Sequence, residues 1–316
     1  KLPNPTQVDR APEKYTACSA PQALPPDDQR LQGLTAPRCA HKGYRRWAKA
    51  LNLVGNLLAR YSTTLGLRPI QLVAAIPLPE EESTAQGNLL SYLERTGPLA
   101  ALTAGLDDTS RGGLVSRAVQ LTYPWVRSAA RLGLPEGLES PDGVLVGLLA
   151  RNALSQGTYR SAASLPLAEA IEVVPVLARS QLYSPSHNNK SLLERVSLFG
   201  PTPTGVQLLS DVTTSLDETV RPASVHRLIG VVIRAAQRLE QAHLFEPSGP
   251  HLWSQLTESL RSLMNQLFVA GALRGQTAEQ AFEVRCDRST MTQADLDNGR
   301  LIARIEFAPA LPVERI

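Results

Sequence analysis

The chain has 316 residues, of which 43% are hydrophobic and 19% are charged, and its formal net charge is +3. These values are ordinary for a globular protein, so they exclude a disordered or fibrous chain, and so small a charge does not imply a nucleic-acid or anionic membrane partner. No apolar run approaches the roughly eighteen residues that a membrane span requires, and three scattered cysteines exclude a disulfide framework. We therefore expect a soluble protein made in the cytoplasm, with reduced cysteines and a substantial core.

The N-terminal part changes character near residue 44. Residues 1–43 are rich in proline and poor in apolar clusters, which predicts an extended arm rather than a domain. The next segment, 44–65, has its apolar residues at helical spacing, which predicts a helix with Trp47 and Leu51 on its inner face. The apolar stretch between Pro69 and Pro77 is typical of a buried strand.

The middle of the chain mixes two kinds of pattern. "QGNLLSYLERTG" (86–97) and "GGLVSRAVQL" (112–121) favour helix, whereas the apolar "DGVLVGLLA" (142–150) and "AIEVVPVLA" (170–178) favour strand. We interpret 44–195 as a mixed α/β region. A further strand is predicted at 205–213.

Two helices are predicted after residue 222. Ser224 is a candidate N-cap for the first helix, and Gly271 is well placed to end the second, whose apolar stripe runs from Trp253 to Leu267. Arginines at helical spacing lie opposite the apolar stripe of the first helix: Arg227, Arg234 and Arg238. Two interpretations of these arginines stay open, a solvated helix face or a surface for an acidic partner.

The last segment predicts two strands joined by a short helical turn. Residues 282–287 alternate apolar and polar, as do residues 300–307, and "DNG" at 297–299 supplies a turn. Thr292 and Asp295 have the spacing of a helix N-cap and its third residue. The fold class is therefore α+β, with 196–316 as a C-terminal domain in which helices flank a sheet.

Residue patterns for chemistry are missing from the sequence. It contains no HExxH, CxxC or GxSxG motif, and the glycine-rich stretch at 105–113 lacks the Lys-Ser/Thr ending of a phosphate loop. His243 and His251 flank a loop, and we interpret them as surface residues. We predict no catalytic, cofactor or metal site, and hence no enzyme; aromatic residues do not alternate with the arginines, which argues against nucleic acid.

The C-terminal segment resembles a known family. "FVAGALRGQTAEQAFEVRCDRSTMTQADLDNGRLIARIEFAPALPVERI" is similar to the C-terminal signature of contractile tail sheath proteins of myophages and phage-tail-like injection particles. The matching residues are Gly271, Ala272, Leu273, Ala281, Phe282, Val284, Cys286, Asp287, Asp295, Asn298, Gly299, Arg300, Ala308, Pro309, Pro312 and Glu314. Upstream, "YPWV" (123–126) and 140–162 also match, although Asp142 stands where serine is usual, so the resemblance covers 115–316.

The resemblance implies a structural role. Tail sheath subunits polymerise as stacked helical rings with six-fold symmetry around an inner tube and contract to drive it through a target envelope. The partners implied are neighbouring subunits, the tube, the baseplate and the tail terminator, with no nucleic acid, membrane or cofactor. The particle is a phage tail or a released injection particle. The alternative is a non-contracting baseplate or other scaffold that carries a sheath-like C-terminal domain.

Two sets of residues acquire roles from the resemblance. Sheath subunits are linked by terminal arms that add strands to a neighbour's sheet. On this basis the inter-subunit arm comprises Arg300, Leu301, Ile302, Ala303, Arg304, Ile305, Glu306, Phe307, Pro309 and Pro312. The tube-facing set comprises Arg227, Arg234 and Arg238. The first 70 residues lack the N-terminal strand usual in the family, and pairing of the last strand within its own domain is the alternative on general grounds.

Overall fold

The computed structural model describes residues 35–39, 41–64, 70–79, 116–129, 134–183, 191–243 and 245–312. The helices are α1 (His41–Thr64), α2 (Pro141–Ser155), α3 (Arg179–Tyr183), α4 (Ala223–Ala242), α5 (Pro250–Val269), α6 (Ala278–Ala281) and α7 (Gln293–Asp297). The strands are β1 (Arg38–Cys39), β2 (Leu72–Ala75), β3 (Leu78–Pro79), β4 (Val119–Tyr123), β5 (Trp125–Ser128), β6 (Ala170–Val174), β7 (Ser197–Thr202), β8 (Gly205–Leu208), β9 (Phe282–Arg285) and β10 (Arg304–Phe307). The α+β class is confirmed, while most of the predicted N-terminal arm and the helix predicted at 86–97 lie outside the described residues.

A four-stranded sheet organises the upstream part of the chain. Its strand order is β2-β4-β7-β8, in which β4 is parallel to both β2 and β7, and β7 and β8 form an antiparallel hairpin. Every residue of β4 is buried, as expected for a central strand covered on both faces. Because β4 pairs with β7, this sheet spans the predicted domain boundary after residue 195.

The two faces of the sheet contact different apolar clusters. One cluster contains Leu121 and Leu198 of the sheet and Leu51 of α1. The other contains Phe199 and Leu208 with residues of α2, β5 and β6, the last two of which form a separate antiparallel pair. The sheet is thus the middle layer of the upstream part.

Two assignments of helix or strand were wrong, and so was the predicted N-cap, because Pro222 is the N-cap of α4 and Ser224 lies buried inside the helix. Residues 142–150 are helical within α2 rather than a strand, and 119–121 form β4 rather than the end of a helix. A continuous apolar run does not by itself distinguish a strand from a helix with one buried face, and Leu145 and Leu148 lie on such a face of α2. The overlooked signal was Pro141, which occupies the first helical turn, where its missing N–H costs nothing.

The C-terminal part packs two long helices against a small sheet. α4 and α5 contribute Leu228, Leu260 and Met264 to a cluster that also includes Val284 of β9. The strand prediction for 282–287 is confirmed at β9, since Val284 and Cys286 are buried and Glu283 and Arg285 are not. The predicted cap of α7 is confirmed as a reciprocal pair in which Thr292 and Asp295 bond to each other's backbone amides.

Glycine at 271 and at 147 is expected to respond oppositely to alanine. Gly271 has φ +76 just after α5, where a Cβ is strained, so G271A should cost about 1 kcal/mol of unfolding free energy. Gly147 lies inside α2, and an added Cβ meets no atom within 4 Å, so G147A should stabilise by about 0.5–1 kcal/mol. Urea denaturation of the two variants checks this, and two shifts of the same sign would contradict it.

Candidate assembly surfaces

A small charged sheet lies on the surface of the C-terminal part. β9 and β10 pair antiparallel, with Arg304 opposite Arg285 and Glu306 opposite Glu283. The inner face consists of apolar residues of both strands, among them Ile305 and Phe307, which pack against the cluster of α4 and α5. Burial of this face fixes the register, because a slip of one residue would turn the apolar set outward.

The outer face carries four charged side chains. Glu283 accepts a hydrogen bond from Arg285 within β9 at 2.5 Å, and Arg304 pairs with Glu306 within β10 at 2.7 Å. The hydrogen bond from Arg285 lowers the pKa of the Glu283 carboxyl. All four side chains are between 49% and 70% exposed, so the face is available to a partner.

The C-terminal strand is attached to its own chain rather than projecting as a free arm. Beyond the pairing of β10 with β9, the Ala308 amide donates to Ala281, the Arg274 amide donates to Ala308, and the Ala310 amide donates to Ala272. Leu273 and Pro309 form an antiparallel bridge. In the single chain, 304–309 therefore pair within their own domain, which is the alternative that the sequence left open, and Ile305 and Phe307 complete an apolar cluster. The inter-subunit role of these residues stays a prediction.

The remaining predicted arm residues have local contacts. Arg300 lies 3.6 Å from Asp295, Leu301 packs near Trp253, and the Ile302 carbonyl accepts a hydrogen bond from Thr290. Ala303 is exposed and Pro312 is half-buried at the end of the described chain.

A buried ion pair joins the C-terminal helices to the upstream sheet. Asp211, only 3% exposed, follows β8 and receives 2.6 Å and 3.2 Å hydrogen bonds from the Arg227 guanidinium of α4. The same carboxylate accepts from the Ala162 amide and from Gln120 of β4. Burial favours the neutral acid, but the positive charge of Arg227 and these hydrogen bonds outweigh it, so the pKa of Asp211 is lowered.

The interpretation of the arginine stripe needs correction at Arg227. Its side chain is 11% exposed and is bonded to Asp211 and to the Thr158 carbonyl, so it is a structural residue rather than part of a solvated face. Arg234 and Arg238, further along α4, are exposed. Asp211 was missed because the sequence offers a lone aspartate among small polar residues and no sign of its partner.

The described residues contain no group of three or more histidine, cysteine, aspartate or glutamate side chains placed to hold a metal ion. None of the helices in the described part combines the length and the apolar character that a bilayer crossing demands.

His226 of α4 is buried, at 6% exposure, and burial together with the charges of Arg117 and Arg227 lowers its pKa to about 4.

Comparison with known proteins places the fold. No family model and no curated protein matches the chain. A chain of the anti-feeding prophage (AFP) baseplate in the contracted state aligns over 99% of this chain and 76% of its own length, with 19% identity and a TM-score of 0.65. The AFP helical sheath in the contracted state aligns over 82% of this chain and 72% of its own length, with 20% identity and a TM-score of 0.57.

A third similar structure is the contracted sheath complex of PVC, an extracellular contractile injection system. It has 22% identity and a TM-score of 0.57, and the chain aligns over 64% of its own length and spans 55% of the PVC chain. These similarities agree with the resemblance seen in the C-terminal sequence. The chain therefore has the fold of structural subunits from the sheaths and baseplates of contractile injection systems.

Proposed function

We propose that the chain is a structural subunit of a contractile sheath, which polymerises as stacked helical rings around an inner tube and contracts to drive the tube through a target envelope. The observation that carries the proposal is the similarity to the contracted AFP and PVC sheaths, supported by the sheath-like signature in 268–316. The partners are neighbouring copies, the tube, the baseplate and the tail terminator. The particle is assembled in a bacterial cytoplasm and is a phage tail or a released injection particle.

Such a subunit works without a reaction centre. Work comes from better contacts between subunits in the contracted state than in the extended one, so a ligand-driven or chemical step is not needed. Gains of about 1–3 kcal/mol for each subunit, the usual size of a coupling free energy, add up over many copies.

The small sheet of β9 and β10 supplies a means of linking subunits. In the described part of the chain, the backbone of 304–310 bonds only to 272–274 and 281–285, which leaves the other edge of β10 open to an added strand. In this arrangement β10 acts as the acceptor of an extended segment from another copy. The pairing of β10 with β9 fixes the acceptor in the folded subunit.

A static scaffold is the second candidate. It is favoured by the AFP baseplate chain, which aligns with 99% of this chain. The two functions differ in what the chain does alone: a sheath subunit polymerises into tubes, whereas a scaffold needs other components.

Electron microscopy of the purified chain, at rising protein concentration and without a tube partner, tests the proposal. We expect hollow striated cylinders with a central lumen. Particles of one small size at every concentration would contradict the sheath function and favour the scaffold.

Reversing the exposed charges of α4 should weaken contact with the tube. We propose that Arg234 and Arg238 face an acidic tube wall, and both are exposed. R234E/R238E is expected to change the unfolding free energy by no more than about 0.5 kcal/mol, because exposed charges contribute little to stability. The same variant should lower co-sedimentation with the particle's tube protein. R261E, at a 53% exposed arginine of α5, is the control. Equal tube binding by the unchanged protein, R234E/R238E and R261E would refute the assignment of Arg234 and Arg238 to the tube-facing surface.

A further inference from the structure

The outer face of β9 and β10 has an unusual charge arrangement for two paired strands. Arg285 stands directly opposite Arg304, and Glu283 directly opposite Glu306. Residues directly opposite have Cβ atoms about 5 Å apart, and like charges at that distance destabilise the pair. If one strand carried its two charges in reverse order, opposite charges would face each other across both pairs, and the sheet would be more stable. The pairing of β9 with β10 alone therefore does not explain the pattern.

The like charges form two rows across the sheet. One row is the two arginines and the other is the two glutamates, and the rows are about 7 Å apart, because alternate residues of a strand are separated by twice its rise. Each glutamate is paired along its own strand with an arginine, so the face is nearly neutral overall while presenting a positive row and a negative row. A partner that crosses both rows meets a defined order of charge.

A strand added at the open edge of β10 would lie across these rows. The residue beside Arg304 is favoured when acidic, and the residue two positions along, beside Glu306, is favoured when basic. A slip of two residues keeps the apolar face inward but brings a like charge beside one row. The rows therefore distinguish between registers that differ by two residues, which hydrophobic alternation cannot do.

We propose that the arginine row and the glutamate row set the register of an extended segment from a second copy of this chain, which bears one acidic and one basic residue two positions apart. This inference rests on the proposed function, because it names what the acceptor edge recognises. The argument for such an occupant is the order of charge on the outer face, which a segment with the opposite order of charge would complement. Arg304 and Glu306 are the specificity-determining residues, since they flank the open edge.

The decisive variant is R304E/E306R, which reverses the order of charge on β10 alone. Within the chain it places opposite charges across both charged pairs of β9 and β10, so the melting temperature should rise by about 2 °C. For an incoming segment it reverses the selected order, so the concentration needed for assembly should rise by about tenfold or more. If Arg304 and Glu306 only stabilised the fold, a variant with a higher melting temperature would assemble as readily as the unchanged protein or more readily.

Two further variants complete the design. R304Q/E306Q removes the charges without adding repulsion, and its assembly concentration should lie between those of the unchanged protein and R304E/E306R. R127E/E172R is the control, because it exchanges an ion pair of 2.7 Å in the separate β5–β6 sheet and should leave assembly unchanged.

Light scattering and sedimentation velocity of the four purified proteins, over a range of concentrations, give the readout. Assembly of R304E/E306R at the concentration of the unchanged protein overturns the inference and leaves the sheath function standing. An unchanged protein that remains monomeric at every concentration overturns self-association, and with it both the sheath function and a second copy as the occupant.

Discussion

Replacing Asp211 by alanine is expected to lower the free energy of unfolding by about 3–5 kcal/mol, because it leaves the Arg227 guanidinium in a buried site without its counter-charge. The two side chains meet at 2.6 Å, with Asp211 fully buried and Arg227 only 11% exposed. The carboxylate also accepts from Ala162 and Gln120, so these two donors lose a partner as well. Urea denaturation followed by tryptophan fluorescence measures the change.

An exposed ion pair provides the matched control for Asp211. Arg127 and Glu172 lie 2.7 Å apart, but their side chains are 30% and 51% exposed, so E172A should cost about 0.5 kcal/mol or less. The difference between the variants then reports burial rather than distance. Equal destabilisation by D211A and E172A would show that the buried pair does not hold the two parts of the molecule together.

R227M isolates the carboxylate of the same pair. In the unchanged protein the pKa of Asp211 is lowered, so its contribution to stability is present above the unfolded value of 3.8 and is lost as pH falls through the folded value. Without Arg227, burial is expected to raise that pKa, so R227M should be most destabilised at neutral pH and recover partly in acid. A loss of unfolding free energy in R227M that does not change with pH would contradict this account.

Acid is expected to weaken the fold through His226. Burial, with the charges of Arg117 and Arg227, lowers its pKa from 6.5 to about 4. Between these values the unfolded chain binds a proton that the folded chain does not, so this contribution to stability is complete above pH 6.5 and declines as pH falls towards 4. A shift of this size corresponds to about 3 kcal/mol at pH 4.

H226Q should remove that part of the pH dependence. The loss of unfolding free energy between pH 7 and pH 4, measured by denaturation at each pH, is expected to be about 3 kcal/mol smaller in H226Q than in the unchanged protein. H251Q, at an exposed histidine at the start of α5, is the matched control variant. If H226Q and the unchanged protein lose stability equally, His226 is not the group responsible.

The C-terminal elements could be predicted from the sequence because each has a local signal. The alternation through Phe282, Val284 and Cys286 predicts β9, and the Thr292 cap and Gly299 mark the turn before β10. These features depend on residues close in sequence, so no knowledge of the tertiary fold is needed.

The upstream elements and the buried pair could not be predicted in the same way. The apolar run in α2 has no clear period, and the strand character of 119–121 depends on β2 and β7 lying on either side of it. Arg227 has the helical spacing of Arg234 and Arg238, but its surroundings are set by Asp211, which comes from another element. Spacing along a helix identifies a face, whereas tertiary contacts decide whether that face is solvated.

The arrangement of the strands also sets an order of events in time. The parallel pairs β2–β4 and β4–β7 join segments far apart in the chain, whereas α4, α5, β9 and β10 all lie within residues 223–307. Contacts between distant segments form slowly because long loops must close first. When the full chain refolds from denaturant, the C-terminal part is therefore expected to form ahead of the sheet, so the β10 edge that we propose as an acceptor exists before Asp211 is in place to receive Arg227. Refolding copies then have an interval in which the proposed strand addition can begin before the body of the subunit is complete.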